Sequence, residues 1–287
     1  MKVNTLTLNS PDYPDVLRAI HSPPKQLFYR GEPPSSWLAK PRVAVVGSRK
    51  ITPYGKLVTE KIVSDLAREG VVIVSGLAYG IDAAAHQAAL DNDGVAVAVL
   101  GTSITNISPA GNFHLGLKIL ERKGTIISEY SGQDIIRAYN FVVRDRIISG
   151  LCDVLLVTEA TLKSGSLHTA RFALEQGKTV MTVPGNITSP GSEGCNNLIK
   201  SGAIPVTDAS DVFFALKIEP GKAKQARRFN GSPEAQKLLQ LIQDGVADQE
   251  DLALAAKLDG PSTASNLTML EITGYIRPAG GGNWVAT

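Results

Sequence analysis

From Arg42 onward, short apolar runs rich in Val and Ile alternate with longer segments whose apolar residues recur at helical spacing. The series reads RVAVV, YGKLVTEKIVSDLARE, VVIV, IDAAAHQAALD and VAVAVLG. It continues through TIISEY, RDRIISGL, DVLLVTEA, GSLHTARFALEQG, TVMTVPG and NNLIKSGAIPV. Apolar runs without polar alternation belong to strands covered on both faces, and their alternation with helices predicts a doubly wound, mostly parallel α/β sheet over residues 1–218. Within that domain, residues 1–41 are Pro-rich (YPDVLRAIHSPPKQLFYRGEPP) and are expected to wrap around it, with no fold legible from spacing. Residues 219–231, polar and basic with Pro and Gly, predict a linker. In 232–287 three short helical segments precede the Gly-tipped hairpin YIRPAGGGNWVAT, which is the order of a winged helix-turn-helix.

Charge sharpens this division. Residues 1–218 carry 22 Lys/Arg and 19 Asp/Glu, 219–231 carry four and one, and 232–287 carry three and seven. A polyanion should therefore prefer the large domain to the acidic C-terminal one. The start, MKVNTLTLNSPDYPDV, has no basic stretch leading into an apolar one. No apolar run approaches the roughly 18 residues of a membrane span, so a soluble, cytoplasmic protein without a membrane partner is expected. Cys152 and Cys195 lie too far apart for a thiolate zinc motif and fit a reducing compartment.

The strand-to-helix turns carry the candidate chemistry. Gly47, Ser48 and Arg49 end the first strand of the series directly before a helix, where backbone N–H groups and a cation suit a phosphate. Ser75 and Gly76 form a second such turn; Asp82 and His86, four apart on the next helix, read as local capping and pairing. Lys163, Ser164, Gly165, Ser166 and Thr169 crowd a third turn, and Gly185 and Asn196 belong to a fourth. Four such turns on one sheet edge would make a groove. The segment IIRAYNFVVRDRIISGL interleaves Arg137, Tyr139, Phe141, Arg144 and Arg146, cations for phosphates and rings for unstacked bases. Composition fits equally a helix in which Phe141 is core and Arg144 pairs with Asp145 or Asp153.

Several chemistries lack their spacing. Only Gly47 and Gly55 are available where a dinucleotide fingerprint needs three glycines, and Phe172 stands where a Walker A loop ending in Gly177, Lys178 and Thr179 needs its first glycine. Neither GxSxG nor HExxH occurs, and the four histidines are scattered. No cofactor, no metal and no catalytic residue is expected.

The strings GSRKITPYG, SGLAYGIDAAAHQAAL, FVVRDRIISGLCDVLLVTEA, SGSLHTARFALEQGKTVMTVPG and GCNNLIKSGA, in this order and spacing, strongly resemble the DNA-processing-protein-A (DprA/Smf) family. The resemblance runs from about Tyr13 to Phe213 and extends to the winged helix. It implies an extended Rossmann-like domain that binds single-stranded DNA, forms a homodimer and hands the strand to the RecA recombinase in natural transformation, without catalysis. It makes Arg49 the arginine of the strand-binding motif and sets Ser75, Gly76, Phe141, Arg144 and Arg146 around the same pocket. The chain departs from the family at Val142, where proline is usual, and at Asp145, where asparagine is usual. It also has Ser108 before Pro109 in place of tyrosine, and no basic residue just before Phe141 unless Arg137 serves. A carboxylate at Asp145 near the strand implies weaker binding.

Two other readings compete. A nucleoside-monophosphate hydrolase of the lysine-decarboxylase-like group would need a glutamate where Phe172 stands. A transcription-factor reading would need basic residues on the recognition helix, yet Ser262 to Gly274 contains none and includes Glu271. The acidic winged helix is therefore expected to serve protein interaction or regulation.

Overall fold

The computed structural model describes residues 2–132, 137–220 and 231–286. Two compact units divide the chain, Met1–Ala223 and Lys224–Thr287. Most of the linker expected over 219–231 falls on 221–230, outside the described residues.

In the first unit, β1 (Asn4–Thr7), α1 (Asp15–Arg18) and β2 (Gln26–Gly31) precede β3 (Arg42–Gly47). The chain continues as α2 (Pro53–Arg68), β4 (Val72–Ser75), α3 (Ile81–Asp91), β5 (Ala96–Leu100), α4 (Phe113–Glu121) and β6 (Thr125–Ser128). Then follow α5 (Tyr139–Leu151), β7 (Val154–Glu159), α6 (Ser166–Glu175), β8 (Thr179–Thr182), α7 (Glu193–Lys200), β9 (Ile204–Pro205) and α8 (Ala209–Leu216). They build one sheet in the order β1-β2-β6-β5-β4-β3-β7-β8-β9. From β3 to β9 all pairs are parallel, so these strands share one carboxyl edge. The doubly wound, mostly parallel α/β sheet is the predicted one.

Residues 1–41 do more than wrap. Strand β2 pairs antiparallel with β6 and β1 with β2, extending the sheet by two strands. Their apolar runs are short and flanked by proline-rich stretches, so they do not signal strands; the open edge of β6 supplies the order. Trp37, fully buried, donates from Nε1 to Thr125 Oγ1 at 2.9 Å, which fastens this segment to the sheet.

Alternate strand residues feed opposite cores, as the pleat requires. Val43, Val45 and Ile73 face Leu66, Ile81 and Ile119 of α2, α3 and α4. Ala44, Val46 and Val74 face Leu17, Ile147 and Ala170 of α1, α5 and α6. Helices α2 to α4 thus start on one side of the carboxyl edge, and α5 to α7 on the other. Between β3 and β7 the strand order reverses, opening a crevice at the edge where doubly wound folds bind ligands.

The second unit contains α9 (Pro233–Gln243), α10 (Gln249–Ala256), α11 (Gly260–Ile272) and the hairpin of β10 (Ile276–Gly280) and β11 (Asn283–Ala286). Ser232 Oγ accepts from the Ala235 N–H at 3.1 Å with Pro233 at the first helical position, and Asp259 caps α11. Its own small core holds Leu238, Leu252, Leu267, Leu270 and Ile276. The arrangement is a winged helix.

Because Trp37 ties residues 1–41 to β6, Trp37→Ala should lower the stability of the large unit by about 3–5 kcal/mol. Trp37→Phe, which keeps most of the ring, should cost about 1–3 kcal/mol. Urea denaturation followed by circular dichroism measures both, and a Trp37→Phe loss near zero would show that the indole hydrogen bond adds nothing.

Candidate functional site

The turn after β3 is built by close approaches. A Cβ on Gly47 would lie 2.6 Å from the Glu159 carbonyl oxygen, which also accepts from the Ser48 N–H at 2.7 Å. The α3 N-terminus abuts the same turn, with the Ile81 N–H donating to Ser48 O at 3.1 Å. Ser48 is buried, its hydroxyl donating to Lys50 O at 2.9 Å. Arg49 and Lys50 are exposed and carry no ion pair among the described residues.

The α2 N-terminus itself is filled from within, which differs from the sequence-based expectation of a phosphate there. Glu159, at the end of β7, is 4% exposed and accepts from the Thr52 N–H at 3.0 Å and from the Thr52 hydroxyl at 2.6 Å. Thr52 Oγ1 in turn accepts from the Gly55 N–H at 3.0 Å. Gly55 and Gly191 leave space for the carboxylate, since a Cβ on Gly191 would come within 2.8 Å of Glu159 Oε1. The positive end of α2 is thus satisfied by an internal anion. Sequence reading passed over Glu159 because an acid at a strand end signals this only once β7 is known to lie beside β3.

Beneath the crevice lies a buried ionic cluster. Arg144, 4% exposed, donates from Nη1 to Gly76 O at 2.7 Å and to Val99 O, and from Nε to Asp145 Oδ1 at 3.2 Å. A Cβ on Gly76 would fall 2.6 Å from its Cζ. Asp82 Oδ2 accepts from the N–H groups of Gly76 at 3.0 Å and Ala78 at 3.4 Å. The expected Asp82–His86 pairing is replaced by these backbone bonds. Burial pushes the Asp82 carboxyl up, against Arg144 and the same N–H groups. Burial also pushes Asp145 up to about 6, against Arg144, with Asp82 adding to the rise and Thr169 opposing it. His86 is driven down to about 3 by burial and is neutral. Ser75 is fully buried and donates to Val45 O at 2.6 Å.

Ser75, Gly76, Arg144 and Thr169 therefore form the support of the crevice rather than its surface. Arg144 takes the partner Asp145, one of the two the sequence offered, while Asp153 pairs with Arg42 at 2.5 Å. Asp145 faces this cluster, not solvent. Arg146 is also turned inward, with Nη2 on both oxygens of Glu129 at 2.7 and 2.9 Å and Nε on Ser22 O at 2.9 Å.

A smaller set of the expected residues is left exposed or half-buried. Phe141 is half-buried and outside both cores, its ring against Gly101 at the end of β5, where a Cβ would meet Cδ1 at 2.8 Å. Arg137 is exposed, its N–H donating to Asn140 Oδ1 at 3.0 Å. At the start of α6, Lys163 and Gly165 are exposed and Ser164 is half-buried, whereas Ser166 is buried with its hydroxyl 2.8 Å from that of Ser164. Gly185 and Asn196 are tied to each other, the Gly185 N–H to Oδ1 at 3.2 Å and Nδ2 to Gly185 O at 3.1 Å. Among the described residues no cluster of His, Cys, Asp and Glu could hold a metal ion, and both cysteines are buried.

The family model for DNA recombination-mediator protein A matches residues 4–217. The chain belongs to this family. It is 41% identical over 281 residues to protein Smf of Escherichia coli K12, covering 94% of this chain and 74% of that one. The structure of DNA processing protein A from Streptococcus pneumoniae aligns with a TM-score of 0.69 at 39% identity, covering 75% of this chain and 74% of that one. That of DNA processing protein A from Helicobacter pylori, described for its unique single-stranded DNA binding mode, aligns with a TM-score of 0.67 at 30% identity, covering 76% and 96%.

With its carboxyl raised to about 6 from an unfolded value near 3.9, Asp145 binds its proton more tightly in the folded chain. Its stabilising contribution is complete below about pH 4 and is lost as pH rises through 6. Asp145→Asn removes that loss. Its stability relative to the parent should rise between pH 4.5 and pH 7.5 by on the order of 2 kcal/mol. Chemical denaturation at the two pH values tests this; a difference independent of pH would show that Arg144 offsets the burial of Asp145 and leaves its carboxyl unshifted.

Proposed function

We propose that the protein binds single-stranded DNA along the carboxyl edge of its sheet and acts in DNA processing without catalysing a reaction. The observation that carries this reading is the pair of exposed cations Arg49 and Lys50, free of ion pairs among the described residues, at the point where the strand order reverses and on the same edge as the half-buried ring of Phe141. Cations that meet phosphates and a ring that meets an unstacked base are what sequence-tolerant binding of a single strand requires. Lys163 and the open start of α6 extend the basic path; Arg137 extends it beside α5. The binding mode described for the Helicobacter pylori relative supports the same substrate. An enzymatic reading has less support, since Phe172 stands where the hydrolase glutamate would fall and His86 is buried and neutral.

The reading includes a homodimer in the cytoplasm and delivery of the strand to a RecA-type recombinase, both implied by family resemblance. Edge strand β9 leaves Ile204 45% exposed, and α8 leaves Phe214 87% exposed. This apolar surface of the large unit fits a second copy of the chain. The winged helix, with three basic against seven acidic residues, is a poor surface for DNA and serves a protein partner.

Salt dependence separates the two roles in the crevice. Arg49→Ala should weaken binding to an oligothymidylate and flatten the slope of log affinity against log salt by about 0.7. Phe141→Ala should cost about 1–3 kcal/mol with the slope unchanged. Fluorescence anisotropy across a salt series reads both once melting confirms the fold, and an Arg49→Ala variant with the parental slope would remove Arg49 from the contact.

For the dimer, light scattering should report two copies for the parent and one for Phe214→Glu. A parental monomer at micromolar concentration would defeat this assignment.

A further inference from the structure

Tyr79 is not among the residues that the proposed strand-binding site uses, yet the loop that carries it is unusually constrained. Leu77 takes a φ of 57°, a left-handed conformation unfavourable for a bulky residue, and Gly80 a φ of 79°. Four bonds hold the intervening backbone. Asp82 Oδ2 accepts from Gly76 and Ala78, while Asn112 Nδ2 donates to Leu77 O at 2.9 Å and to Ala78 O at 3.1 Å. The Leu77 side chain is fully buried as a further anchor.

The one side chain this loop turns outward is Tyr79, 50% exposed. Its ring edge packs on Gly111, where a Cβ would meet Cε1 and Oη at 3.0 Å, so that glycine makes room for the ring. No hydrogen bond of its hydroxyl is found among the described residues. Placement gives the ring meaning: a Cβ on the next residue, Gly80, would lie 2.9 Å from the Arg49 Cα. Tyr79 therefore stands beside the free cation, at the α3 N-terminus and on the side of the sheet opposite the α5 helix that carries Phe141.

We propose that Tyr79 is a second base-stacking position, so that the strand passes between an aromatic residue on each wall with Arg49 taking phosphate between them. This rests on the proposed single-strand binding. A rigidly held tyrosine presents a large face with little rotamer freedom to lose, which is why a strained loop that fixes it favours a ligand with flat, unpaired rings. Leu or Ala would serve the loop equally well if the side chain merely covered Gly111.

The test uses the full chain and a fluorescein-labelled oligothymidylate. Tyr79→Ala should weaken binding about 5- to 100-fold with the salt slope unchanged, the loss of one stacked base. Tyr79→Phe should restore parental affinity, and Tyr79→Leu should not. Irradiating a complex with an oligonucleotide of 5-iodouracil should crosslink the base to Tyr79, located by mass spectrometry of the tryptic peptides. Parental affinity in Tyr79→Ala together with a crosslink at Phe141 alone would overturn this inference and leave the proposed function standing. A parent that binds no oligothymidylate would overturn both.

Discussion

Arg144 is only 4% exposed, and its guanidinium must find every partner inside the protein: the carbonyls ending β4 and β5, and the carboxylate of Asp145. Helix α5 is thereby locked to two strand ends, one turn away from Phe141, at the spacing that places residues on one helix face. The counter-charge is shared with Asp82, which pins the loop after β4. One buried cation thus sets both the helix bearing one ring and the loop bearing the other. Taking one member from such a network strands a buried charge, at a cost of about 3–5 kcal/mol. The crevice is rigid before any ligand arrives because its geometry is set by buried electrostatics instead of by the residues a ligand would touch.

A second internal pairing decides what kind of anion site remains. Glu159 occupies the positive end of α2, so the strongest fixed dipole beside the β3 turn is already neutralised. In the proposed binding, phosphates meet Arg49, Lys50 and Lys163, whose long side chains are exposed to solvent. A helix terminus grips a phosphate at one position, as in nucleotide sites; flexible cations tolerate a backbone that slides. The same exchange makes affinity strongly dependent on salt.

The strand series, the winged helix and the general place of the crevice were legible because buried parallel strands, capped helices and strand-end turns each leave a local pattern. Strands β1 and β2 were not, since their order comes from pairing with the edge of β6, which no local pattern records. At the site, residue type was legible and direction was not. Arg49 and Lys163 are exposed and Phe141 is half-buried, but Arg144, Arg146, Ser75 and Thr169 carry the right chemistry facing inward. A motif states that a guanidinium matters without stating whether a phosphate or a carbonyl receives it. Tyr79, inside the quoted string SGLAYGID, carried no signal beyond being aromatic; its meaning comes from Leu77, Asn112 and Gly111, two of them remote in sequence.

In the proposed binding, discrimination between single and double strands would follow from depth. Phe141 sits against Gly101 and Tyr79 against Gly111, each on a loop or helix start that cannot advance toward a ligand without breaking the bonds beneath it. A base must come to the ring. In a duplex the bases are already stacked and paired, so only the exposed cations could make contact, and the duplex would gain only the sequence-independent electrostatic part of the binding energy. A single strand gains about 1–3 kcal/mol for each base it stacks. With the proposed ring on each wall, the preference for unpaired DNA would grow with the number of rings engaged.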